Sequence, residues 1–175
     1  MASLVLLVPA LIQATAMLAD EGWFHRRRGL PRWERVGHPL DTLTTIACYA
    51  WLAAARPGSA RDLHVYIGLA VFSCLFITKD EFVHACLCRP GETWLHAVLF
   101  VMHPIVFVAF GALWWYGDGR DFVRAQLFLS TIFVTYQVVY WNLPWKQTPT
   151  LPLPPSTTRF IRPSATAGTT QTTTR

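Results

Sequence analysis

Apolar residues gather into five blocks along the chain, at about 3–21, 40–56, 63–80, 93–116 and 121–142, with short polar stretches between them. A helix of about 17–25 apolar residues crosses roughly 30 Å of hydrocarbon. The pattern therefore predicts an all-α polytopic membrane bundle of about five transmembrane helices. The second block, "DTLTTIACYAWLAAA", is the shortest and is expected to start near Pro39, since proline is favoured in a first helical turn. "RPGSARD" (56–62) and "YGDGRD" (116–121) carry the glycine and charge of tight turns. From Leu143 the chain becomes Pro/Thr-rich without helical periodicity, so residues 1–142 read as the membrane domain and 143–175 as a disordered tail. The first block has no basic residue ahead of it and five arginines after it, the flanks of a membrane helix rather than of a cleaved signal.

Composition agrees with a bilayer setting. The chain is 53% hydrophobic and 14% charged, against about 25% charged in ordinary soluble domains. Its net charge of +5 does not imply nucleic acid, because most basic residues flank apolar blocks and there set topology or meet anionic lipid. Arg26, Arg27, Arg28, Arg32, Arg35, Lys79, Arg89 and the tail's four basic residues fall on one side, eleven against four on the other. The positive-inside bias then predicts N-terminus out and C-terminus in, as for a bacterial-type inner (plasma) membrane protein.

Five of the six histidines and six of the ten acids fall at or near helix ends on that same cytoplasmic side, with His64 on the other. The first helix ends in "ADEGWFH" (Asp20, Glu21, His25) and the second begins after "GHPLD" (His38, Asp41). The third ends in "KDEFVH" (Asp80, Glu81, His84). The fourth begins with "ETWLH" (Glu92, His96), and His103 lies two turns deeper. Side chains three or four apart share a helix face. Glu21–His25, Asp80–His84 and Glu92–His96 are four apart; Glu81–His84 and His38–Asp41 are three apart. "DEGWFH…GHPLD" and "DEFVH…ETWLH" also echo one another as two hairpins of like orientation.

A carboxylate and an imidazole at each of four helix ends is the ligand economy of carboxylate-bridged di-metal sites. Isolated ionisable groups cost about 2.5–3.5 kcal/mol or more in a membrane and persist when paired or functional. Mixed His and carboxylate ligation suits iron, manganese or zinc. The expectation is a site for two divalent ions, with iron favoured and zinc the alternative. Glu21, His25, Glu81, His84, Glu92 and His96 lead the ligand set; Asp80, His38, Asp41 and His103 follow, with Asp20 as an orienting partner. In ligand logic this resembles membrane desaturases and hydroxylases with histidine boxes, although their clustered His-x-x-His-His patterns are missing here and carboxylates take a larger share. The resemblance implies a non-haem di-iron oxidoreductase acting on a lipid-like substrate. Its electrons would come from a separate donor, as no flavin, haem or iron–sulfur motif is visible.

Other functions fit parts of the same pattern. One zinc with three histidines and a carboxylate would make a hydrolase of a lipid amide or ester. A metal-ion transporter would need a polar path, and the middles of the second, third and fifth blocks hold no acid or histidine. A scaffold would use the same charges as an ion-pair network. Cys48 and Cys74 read as core residues, and Cys86-x-Cys88 lacks the two-residue spacer of common zinc and redox motifs. Tyr136 and Tyr140 are candidates to support metal ligands, and Arg26, Arg27 and Arg28 to hold an anionic head group. Trp114, Trp115 and Tyr116 read as an aromatic belt at the outer interface.

Overall fold

The computed structural model describes residues 5–117 and 119–143, apart from the side chains at 83, 85 and 86, and shows helices joined by short turns with no strand among these residues. The tail expected beyond Leu143 lies outside the described residues. Helix α1 (Val8–Ala19) runs into a π-helical turn (Asp20–His25) and a last α turn (Arg26–Arg28). Then come α2 (Arg32–Ala54), α3 (Ala60–Phe76) with a 3₁₀ end (Ile77–Asp80), the short α4 (Glu81–Leu87), α5 (Pro90–Trp115) and α6 (Arg120–Asn142). α1 packs along α5, α2 lies between α3 and α6, and α3 also touches α5.

Among the described residues three helices are long and apolar enough to cross a membrane: Ala60–Asp80, Pro90–Trp115 and Arg120–Asn142, with mean hydropathies of 1.5, 2.1 and 1.3. Large apolar side chains on the outer faces, such as Leu11, Leu75, Val108 and Phe128, are more than 60% exposed, a surface suited to lipid. The chain thus has the make-up of a membrane protein. The first two expected spans differ for local reasons. α1 keeps regular α geometry for only 12 residues before the π turn. α2 has the length of a span, but Arg32, Glu34, Arg35 and Asp41 occupy its first half.

That charged half is also where the expected boundary moves. α2 starts at Arg32, not near Pro39, so Pro39 sits buried inside the helix. Proline there removes one hydrogen bond to the carbonyl four residues back. The freed Arg35 carbonyl instead accepts from Asn142 Nδ2 of α6 at 3.4 Å. Running on through Pro39 lets α2 carry Glu34 and His38 on one face of a single rigid rod.

The apolar core lies in the half of the bundle away from those charges. Cys48, Tyr49 and Leu52 of α2 meet Tyr66 of α3, Phe107, Phe110 and Trp114 of α5, and Val123 of α6. Trp114 is therefore a core residue, 2% exposed, while Tyr116 next to the turn is 76% exposed. Tyr66 Oη donates to the Phe107 carbonyl at 2.6 Å. Its ring passes so close to Gly111 that a Cβ there would sit 2.9 Å from Tyr66 Cε1. Between the core and the charged end, Gln13, His103, Ser73 and Thr44 form a buried polar string. With the core filling one half, the ionisable side chains of α1, α2, α4 and α5 converge in the other.

Candidate metal centre

The π turn is the local device that builds the centre. In a helix of 3.6 residues per turn, side chains five apart point about 140° away from each other. The i→i+5 bonding of a π turn brings them onto one face. Asp20 and His25 are five apart, Glu21 and His25 four apart, so the turn aims all three inward. His25 Nε2 lies 3.2 Å from Asp20 Oδ2, and His25 Nδ1 lies 3.2 Å from Glu21 Oε2. Gly29, at φ 75°, then reverses the chain into α2.

α5 supplies the opposite wall. Pro90 opens the helix in its first turn, which fixes Glu92 and His96 one turn apart on the face toward α1. His96 Nε2 is 3.1 Å from Asp20 Oδ2, and Glu92 Oε1 is 4.0 Å from His25 Nε2. One ligand atom from each of Asp20, His25, Glu92 and His96 lies within 4.8 Å of the other three. All four residues are 1–6% exposed. Adjacent ligands of an ion bound at about 2.0–2.2 Å stand roughly 3 Å apart, which is the spacing around Asp20 Oδ2. Among the described residues His25 Nε2 has no hydrogen-bond partner despite that proximity, and Asp20 Oδ1 is likewise unpartnered. His96 Nε2 is hydrogen-bonded to Asp20 Oδ2, while the unpartnered His25 Nε2 beside them fits a shared cation.

Two further groups of potential ligands overlap this one: Glu21, His25 and His38, and His84, Cys88 and His96. His25 Nδ1 faces Glu21, and Cys88 Sγ is 4.0 Å from His96 Nδ1. Glu21 has both oxygens engaged, because Trp141 Nε1 of α6 donates to Oε1. That is the arrangement by which an acid fixes the tautomer and orientation of a ligating histidine. The four-residue group has two imidazoles and two carboxylates and is the most completely buried.

Charge sets the state of the surrounding groups. Arg28 Nη2 donates to Glu34 Oε2 at 2.8 Å, and Arg28 Nε donates to Glu92 Oε1 at 3.0 Å. Glu34 is fully buried, and that burial, only partly offset by Arg28, raises its pKa. Burial opposes charge on His25, yet its hydrogen bond with Glu21 and the charges of Asp20, Glu21 and Glu34 outweigh it and raise the pKa. His84 is pushed down to about 4 by burial and by its neighbour His96, so its nitrogens are free of a second proton at neutral pH. Burial, then the charge of Glu92, pushes the Cys88 thiol up.

The structure places the remaining expected residues in several settings. His38 stands beside the centre, its ring 4.8 Å from that of His25. Asp41 and Asp80 are joined by Lys79, whose Nζ is 2.6 Å from Asp41 Oδ1 and 3.1 Å from Asp80 Oδ2. Glu81 is exposed and belongs to none of the ligand groups among the described residues, because the 3₁₀ turn ahead of α4 leaves Asp80 and His84, rather than Glu81, facing inward. His103 lies deeper, between Gln13 Nε2 at 3.3 Å and Ser73 Oγ at 3.0 Å. Asp20, expected to orient others, stands among the ligand atoms. Tyr136 and Tyr140 stack at 5.0 Å, with the Arg26 guanidinium over the Tyr140 ring. Arg27 lies over Trp23, and only Arg28 turns inward to the acids. The Cys86 side chain lies outside the description.

Glu34 and Trp141 were not anticipated. Glu34 had a signal: it precedes His38 by four residues, a pairing that counts only once α2 is known to begin ahead of Pro39. Trp141 had none. No family model, curated protein or solved structure matches the chain, so the reading of the centre rests on its own geometry.

Proposed function

We propose that this chain is an integral membrane metal enzyme, a non-haem iron oxidoreductase acting on a lipid-like substrate. The observation that carries this reading is the convergence of Asp20, His25, Glu92 and His96 in one buried group. Two imidazoles with carboxylate oxygen are the donor set of non-haem Fe(II) sites. Bound iron would supply the activation of dioxygen. The chain itself orients the ligands: Glu21 fixes His25, Trp141 fixes Glu21, and Arg28 holds Glu92. Burial of the donors beside lipid-facing helices favours an apolar co-substrate and an acyl or isoprenoid chain over bulk water.

In the proposed topology five segments span or enter the bilayer, with the N-terminus outside and the ligands at the cytoplasmic ends. A separate donor delivers electrons from that side. Hydroxylation of one C–H bond would consume one dioxygen, two electrons and two protons, and release one water.

The test is metal analysis and oxygen uptake by the purified protein, reconstituted with ferrous iron, a chemical reductant and total membrane lipid. Iron bound stoichiometrically, lost in His25→Ala, and lipid-dependent oxygen uptake support the reading. Tight zinc with hydrolysis of lipid esters or amides would replace it with the hydrolase. A folded protein that takes up no metal would leave an ion-pair scaffold.

A further inference from the structure

We propose that Glu34 and His84 seat a second divalent metal ion beside the first, so that the centre is dinuclear. The inference rests on the metal reading of the Asp20–His25–Glu92–His96 group and adds a site with its own residues. Glu34 comes from the first turn of α2 and His84 from the middle of α4. Both are buried, at 0% and 5% exposure.

Glu34 Oε1 and His84 Nε2 face one another at 3.7 Å. Among the described residues neither atom has a hydrogen-bond partner, and neither does His84 Nδ1. An unsatisfied buried polar group costs about 1–3 kcal/mol, so a facing pair of them calls for a third party. The gap is too long for a hydrogen bond. It suits two ligands of one ion, which at bonds of about 2.0–2.2 Å can stand up to roughly 4 Å apart.

The surroundings aim these atoms. Arg28 holds Glu34 by its other oxygen, Oε2, leaving Oε1 directed at His84. The same guanidinium holds Glu92, so one cation ties together a carboxylate from each seat. The His84 ring stacks on that of His96 with centroids 3.9 Å apart, which sets the two seats side by side. Cys88 lies within ligand reach of His84 and offers a further donor. Asp20, Glu21, Glu34 and Glu92 bring four buried carboxylates, against the single guanidinium of Arg28, enough negative charge to hold divalent ions in both seats.

The experiment is anaerobic loading of the full-length protein with ferrous iron, followed by metal-to-protein ratios for wild type, Glu34→Gln, His84→Phe and His25→Ala. Phenylalanine keeps the stacking on His96 but removes the donor, and glutamine keeps an acceptor for Arg28. The wild type should hold about two ions, as two-metal sites do, and Glu34→Gln and His84→Phe should each lose one. One ion in the wild type, unchanged in these variants and lost in His25→Ala, would overturn the second seat while the first stands. Two ions retained in both variants would place the second ion elsewhere and equally overturn it. No metal in any folded protein would sink both readings. Should the variants fail to fold, titration of wild type with cobalt(II) decides. A paramagnetic signal that falls as the second equivalent binds reports a coupled pair, and two independent signals refute the adjacent seat.

Discussion

Replacing Glu21 with Gln separates the two ways in which His25 could serve a metal. In the geometry described, Glu21 spends one oxygen on His25 Nδ1 at 3.2 Å and the other on Trp141 Nε1. In the Asp20–His25–Glu92–His96 seat it therefore acts through His25. Glutamine has nearly the same shape but only one accepting oxygen, so one of these two contacts is lost and the remaining one is no longer charge-assisted. Loss of such an orienting partner weakens metal binding about 10–100-fold, or about 1.4–2.7 kcal/mol. His25→Ala and Asp20→Asn, which remove or weaken a ligand among the four, should abolish stoichiometric binding. The assay is competition for the ion against a chromophoric chelator, in detergent at fixed pH, with circular dichroism as the check on folding. If Glu21→Gln loses the ion as completely as His25→Ala while Asp20→Asn keeps it, the seat is the Glu21–His25–His38 group instead. If Glu21→Gln binds as tightly as wild type, the orienting role is refuted.

Arg28→Met leaves Glu34 and Glu92 buried without their cation, and breaking a buried ion pair in this way costs about 3–5 kcal/mol. Thermal unfolding of the metal-free protein should show the loss, and it should be smaller in acid, where the raised pKa of Glu34 lets it take a proton. Gly111→Ala should cost about 1–3 kcal/mol by overpacking, since the new Cβ would lie 2.9 Å from the Tyr66 ring; unchanged unfolding would refute the close approach of α3 and α5. In the metal-free protein the stabilisation that His25 and His84 together contribute should peak near pH 6.5, the ordinary histidine value. Below it, unfolded His84 takes a proton that the folded site refuses until about pH 4, so stability falls as pH drops through that window. Above it, the stabilisation from protonated His25 is lost as pH rises through its raised pKa. Bound metal replaces that proton and should flatten the alkaline limb; a melting curve insensitive to pH in both forms would contradict this.

The sequence by itself determined the helical class, the apolar lengths of α3, α5 and α6, and the gathering of acids and histidines at one end, since each depends on composition and on spacing along single helices. His25, His84, Glu92 and His96 were legible for that reason: each histidine has a carboxylate three or four residues away, and Glu92 has His96 four away. The same rule also named Glu81, because spacing along a helix cannot say which of two adjacent acids faces inward when a 3₁₀ turn precedes it. Tertiary structure decided what spacing could not. The π turn brings Asp20 into the centre by changing the angle between side chains five apart, and no α-helical periodicity anticipates that. Glu34 enters because α2 runs through Pro39, which α6 makes tolerable by satisfying the Arg35 carbonyl. Arg28 turns inward because two buried carboxylates from different helices, Glu34 and Glu92, meet where a single guanidinium can hold both. Local pattern chose the residue types, and packing between helices chose which of their atoms meet.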